Sequence, residues 1–167
     1  SIVSMRAARP PSLTAGHLVQ IVFGGQFTYV GATGRSYIAR VSSSGTLDSG
    51  YAPNGGSYVN AITLDSLGRV VLVNASNKAL RINTDGSMDT SFNGNANSLF
   101  NNTTSTVAVQ SDNKVLVGGN FSGPDKLMRL NVDGTRDFTF SPNPNDSVKA
   151  IAVQSDGKIV VGGFFQS

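Results

Sequence analysis

Apolar and polar positions alternate along most of the chain with a period of two, which predicts strands rather than helices. Val107 and Val109 are separated by a small residue, as are Ile151 and Val153. Each pair is followed by Gln-Ser-Asp-Asn or Gln-Ser-Asp-Gly and then by an unbroken apolar run, Val115-Leu116-Val117 or Ile159-Val160-Val161. A strand, a tight turn and a returning strand form a β-hairpin, and the unbroken run predicts a returning strand buried on both faces. These two segments lie 44 residues apart in register. A weaker copy runs from Val59 to Val73, and the earliest copy keeps only a second limb, Val19 to Gly25.

A second pattern alternates with the first. Ala39-Arg40-Val41, Leu80-Arg81-Ile82 and Met128-Arg129-Leu130 each lead into a turn ending in glycine (Gly45, Gly86, Gly134), then an aspartate (Asp48, Asp89, Asp137) and an aromatic (Tyr51, Phe92, Phe140). Two hairpins per unit predict a four-stranded antiparallel blade, and a period near 45 is that of a β-propeller. The expected fold is therefore all-β, a β-propeller or propeller segment of about three and a half repeats. Its units are 1–57 (irregular), 58–103, 104–146 and the half unit 147–167. Three and a half blades do not close a ring alone, so either the chain continues or copies associate.

Composition agrees. The 167 residues include 19 glycines, 15 asparagines and 21 serines, and all ten acidic residues are aspartate, so turn formers replace helix formers. Cysteine is absent, which excludes a disulfide scaffold and thiolate metal sites. The formal charge is +3, with basic residues spread singly rather than in a stripe, which argues against nucleic acid as a partner. No apolar run is long enough for a membrane-spanning helix, and no membrane insertion is expected. The start lacks the order of a secretory signal and an initiator methionine, as in a processed or trimmed chain.

The recurring motifs Ala-Val-Gln-Ser-Asp-Gly-Lys-Ile-Val-Val-Gly-Gly-x-Phe and Arg-Leu-Asn-x-Asp-Gly-Thr-x-Asp-x-x-Phe resemble the delta-60 repeat, a β-propeller repeat of unknown function. The resemblance covers the chain from about Val19 onward. It implies a setting in a phage tail, fibre or other virion part, or in a large bacterial surface protein, hence localisation to a virion, the cell surface or the extracellular space. It carries no catalytic residues to transfer.

Chemistry is sparse in the residues themselves. Asn83-x-Asp85-Gly86 and Asn131-x-Asp133-Gly134 alternate oxygen ligands as calcium loops do, but the spacing is incomplete and no glutamate exists, which favours plain turns. No cofactor or metal is expected. Gly24-Gly25, Gly118-Gly119 and Gly162-Gly163 precede no helix and so are not phosphate loops; they let strand ends pack closely. Arg40, Arg81 and Arg129 precede Asp48, Asp89 and Asp137 by eight residues across a turn, and cross-strand pairs are expected in at least two units. The lone histidine, His17, would need aspartates gathered around it to serve a hydrolase. Irregular connections are the place for binding, and Tyr29, Arg35, Tyr37 and Phe100, if exposed, would anchor a protein or a glycan. The expected function is a non-catalytic structural and interaction module of a larger assembly, partnered by other protein chains; carbohydrate recognition is the alternative.

Overall fold

The computed structural model describes residues 2–8, 20–121 and 125–165. Four antiparallel sheets follow one another along the chain. The first takes strands β1 (Ile2–Ala8), β2 (Gln20–Gly25) and β5 (Ile38–Ser42) in that order; a small ribbon, β3 (Tyr29–Val30) and β4 (Thr33–Gly34), is inserted between β2 and β5. The second sheet is β6 (Val59–Leu64), β7 (Val70–Asn74) and β8 (Ala79–Ile82). The third is β9 (Thr104–Val109), β10 (Val115–Gly119) and β11 (Leu127–Leu130), and the last is the hairpin β12 (Val148–Val153) and β13 (Ile159–Gly163). The fourth strand of each full blade is reduced to one antiparallel bridge: Val41 to Leu47, Ile82 to Met88 and Leu130 to Arg136.

The first strand of each sheet packs on its successor, β1 on β6, β6 on β9 and β9 on β12, so the blades are stacked in chain order. The molecule is an all-β propeller segment. Two clusters fill the blade interfaces. Val22, Ile38 and Tyr51 of the first blade meet Val59, Ile62 and Leu72 of the second, and Val71, Val73 and Phe92 of the second meet Val107, Val117 and Leu130 of the third. Middle strands β7 and β10 are buried at every position, as their unbroken apolar runs predict. β13 is not, because no described residue covers its outer face.

Every first hairpin carries a bulge at the same place. Register slips between Ile2 and Ser4, Val59 and Ala61, Gly118 and Gly119, and Val148 and Ala150. Opposite three of these bulges the chain carries a glycine pair. A Cβ on Gly119 would come 2.1 Å from the Thr103 carbonyl oxygen, and one on Gly163 would come 2.0 Å from that of Ser147. The glycine before each pair's end faces the next blade: a Cβ on Gly24 would lie 2.6 Å from Val59 Cγ1, and one on Gly118 would lie 2.6 Å from Val148 Cγ1. The second blade departs from this in a compensated way. Val73 replaces the glycine, and the residue opening the next blade is the smaller Thr104, whose hydroxyl donates to the Asn74 carbonyl at 2.9 Å.

One expectation is corrected. The first unit does not keep only a second limb, since β1 supplies the first limb at Ile2–Ala8 and pairs with β2 from Ile2–Gly25 to Ala8–Gln20. The missing signal is physical: residues 9–19, outside the described residues, stand where the other units have a five-residue turn. Thr90–Ala96 forms a short helix, α1, whose N-cap Asp89 accepts from the Phe92 amide, and Phe92 and Ala96, four apart on one face, are buried.

Candidate functional site

The features that recur with chemical content converge on the joint between blades. In each full blade the arginine of the third strand reaches the aspartate beyond the turn. Arg40 donates from Nε and Nη2 to Asp48 Oδ2 at 2.9 and 2.8 Å. Arg81 does the same to Asp89 Oδ2 at 2.8 and 2.7 Å, and Arg129 Nε reaches Asp137 Oδ2 at 2.9 Å. All three sequence-predicted pairs are brought together. The aspartates divide their oxygens: Oδ1 accepts the amide of Gly50, Phe92 or Thr139 while Oδ2 faces the cation.

Each guanidinium also stacks on the aromatic that follows. Arg40 lies 4.0 Å from the Tyr51 ring centre, Arg81 4.4 Å from Phe92 and Arg129 4.6 Å from Phe140. The third contact crosses to the next blade. Arg40 Nη1 donates to the Thr84 carbonyl at 2.6 Å and Arg81 Nη1 to the Val132 carbonyl at 2.7 Å. The turn so reached carries a glycine at positive φ, Gly86 (94°) or Gly134 (88°), seated on the preceding blade's Tyr51 or Phe92. One arginine therefore closes its own hairpin, covers its own ring and grips the following turn.

Basic residues at the ends of the first-hairpin turns, just before the middle strands, add to the aspartates, a contribution the sequence reading missed. Arg69 Nη1 lies 3.5 Å from Asp89, and Lys114 Nζ donates to Asp137 at 2.8 Å. The signal is a basic residue just after each first-hairpin turn: Arg69, Lys114 and Lys158. Arg69 also closes its own turn, pairing with the buried Asp65 at 2.6 Å.

The carboxylates are tuned accordingly. The Lys114 hydrogen bond, then the Thr139 hydroxyl, hold Asp137 well below the ordinary value of 3.8. For Asp48, burial pulls upward, and the Arg40 hydrogen bond and charge outweigh it, leaving the group lowered. Asp89 is likewise lowered: burial raises it, and the Phe92 amide and Arg81 more than compensate. Asp85 and Asp133, the candidate calcium-loop residues, are used within their turns, accepting from the amide and hydroxyl of Ser87 and of Thr135.

Tyr51 differs from its counterparts Phe92 and Phe140. Its hydroxyl is buried with no hydrogen-bond partner among the described residues, and burial pushes its pKa upward. An unsatisfied buried hydroxyl is costly. Tyr51→Phe, which restores the residue used in the other two blades, is expected to raise stability by about 1 kcal/mol, read as a higher thermal midpoint; a loss of stability would show that the hydroxyl has a partner.

The four loop anchors do not form one surface. Tyr29, on the β3–β4 ribbon, is 66% exposed. Tyr37 is half-buried at φ 70° and packs edge-on against Tyr58 at 5.4 Å. Arg35 and Phe100 are corrected from exposed anchors to buried residues. Arg35 turns inward because its guanidinium donates to the carbonyls of Gly34 and Asp48 at 2.8 and 3.1 Å. Phe100 leaves solvent to stack on Phe121, with ring centres 5.0 Å apart. Beside Tyr29, an apolar cavity of about 230 Å³ is lined by Ile2, Phe23, Phe27, Tyr29 and Val30. His17 lies outside the described residues. No helix among the described residues is long and apolar enough to cross a membrane.

A family model described as a domain of unknown function (DUF5122) beta-propeller matches residues 20–51, 72–92, 110–140 and 154–167. The first three segments run from a first-hairpin turn or middle strand to the aromatic under the arginine, in register with the blades. No curated protein shows significant similarity to the chain.

Proposed function

Since the chain belongs to this β-propeller family of unknown function, we propose that it acts as a non-catalytic structural and interaction module of a larger assembly. One observation carries the reading. All ten aspartates, the whole acidic inventory, are engaged in turns or ion pairs: six pair with basic side chains, and Asp85, Asp112, Asp133 and Asp146 accept within their own turns. Carboxylates spread over separate repeated turns and cross-strand pairs serve the blades. Here the recurring charges rigidify the blades, and the irregular connections are left for contacts. The setting we propose, a phage tail or other virion part and next a bacterial surface protein, rests on the repeat resemblance alone.

The test is a turnover screen with chromogenic glycosides, esters and phosphoesters. No turnover above blank is expected; turnover abolished by His17→Ala or by an aspartate-to-asparagine substitution would overturn the reading. The glycan-binding alternative draws on exposed Tyr29 beside its apolar cavity. A glycan-array signal lost in Tyr29→Ala would move the function there.

A further inference from the structure

The internal joints define what a blade face requires, and both outer faces of the array can be compared with them position by position. On the side facing the next blade, Val22, Val71 and Leu116 occupy the same register position in β2, β7 and β10, and none is more than 1% exposed. Val160 holds that position in β13 and is 52% exposed. Two residues on, Gly24 and Gly118 receive Val59 and Val148 of the following blade; at Gly162 only Ala150 of its own hairpin comes within 4 Å of the Cβ position. Among the described residues this tail face has the shape of an internal joint and no occupant.

The opposite face carries the complement. Ile2 stands where Val59 and Val148 stand in their blades, as the residue paired with the end of the middle strand, and Met5 stands where Ile62 and Val107 stand. Val59, Val148, Ile62 and Val107 are buried, yet Ile2 and Met5 are 54% and 53% exposed, beside the apolar cavity already described. The head thus presents the side chains that the tail is shaped to receive. Exposed apolar surface of this kind marks an interface, and this surface continues the joint made three times within the chain.

We propose that the tail face of β12–β13 binds the head face of β1–β2 in a second copy of this chain, with Ile2 seated over Gly162 and Met5 against Val160. The contact is heterologous, joining two different patches, and such contacts either close into rings or run on as filaments. The inference rests on the reading of the chain as an interaction module and names its partner.

The experiment is light scattering on size-separated protein, with the 167-residue chain of 17.4 kDa at about 100 μM. A species of twice the chain mass is expected. Val160→Asp and Met5→Asp each place a charge in one half of the joint, at positions exposed in the single chain, so the fold is retained and circular dichroism verifies it. Each variant alone is expected to associate at least about 100-fold more weakly. Mixing the two restores one intact joint, since the head of Val160→Asp meets the tail of Met5→Asp, and mixed pairs form. A monomeric wild-type chain overturns the proposal, as does a Val160→Asp variant that pairs with itself unimpaired, which would mean head-to-head contact. Either result leaves the turnover screen, and with it the non-catalytic reading, unaffected.

Discussion

Gly134→Ala is expected to destabilise the protein by about 3–5 kcal/mol, whereas Gly45→Ala, at the same place in the first blade, costs about 1 kcal/mol. Both glycines sit in the left-handed region, at φ 88° and 83°, so both substitutions carry the same backbone strain. The difference lies in the neighbour. A Cβ on Gly134 would come 2.4 Å from the Phe92 carbonyl oxygen and 3.0 Å from Phe92 Cα, backbone atoms that cannot swing aside. A Cβ on Gly45 would meet nothing within 4 Å. Urea unfolding of the two variants separates turn strain from the seating of one blade on the next. Equal losses would mean that Gly134 is required only by its dihedral angle, and the account of the joint would fail.

Arg81→Ala is the second large effect, about 3–4 kcal/mol. The side chain is 6% exposed, and its loss removes the fork on Asp89, the cover over Phe92 and the grip on the Val132 carbonyl together. Asp89 would keep Arg69, at 3.5 Å, as its remaining cation. Arg81→Lys restores charge without the planar fork and is expected to recover less than half of the loss. The pH dependence has a definite sign. Asp89 is lowered in the folded protein, so the unfolded chain takes up its proton first as pH falls. The pair's contribution is complete above the ordinary value of 3.8 and is lost as pH drops through the lower folded value. The gap between wild type and Arg81→Ala therefore narrows below pH 3.8 in thermal melts. A gap unchanged down to acid pH would assign the loss to packing over Phe92 rather than to charge.

Much of this architecture is legible in the chain because the repeat compares each blade with the others. The buried middle strands announce themselves as Val115-Leu116-Val117, and the eight-residue spacing from arginine to aspartate yields the cross-strand pairs. Where the comparison breaks, legibility ends. β1 escapes because residues 9–19 interrupt the register before its partner strand, and Ile2-Val3-Ser4-Met5 alternates weakly. Helix α1 escapes because Asp89 reads identically whether its second oxygen accepts a turn amide, as that of Asp48 does from Gly50, or caps a helical turn. Arg35 and Phe100 look like loop residues along the chain; only the fold brings the carbonyl of Asp48 and the ring of Phe121 within their reach. The exchange of Val73 and Thr104 for glycine and valine is visible only once β7 is known to lie against β9.

The forward reach of the arginines gives the array a direction. Arg40 finishes the turn of the second blade and Arg81 that of the third, so each turn is completed by a residue already passed in the chain. On a ribosome the N-terminal part emerges first, so Arg40 and Tyr51 leave before the turn that they seat, and Arg81 and Phe92 before theirs. Each of these joints therefore waits on the later of its two halves.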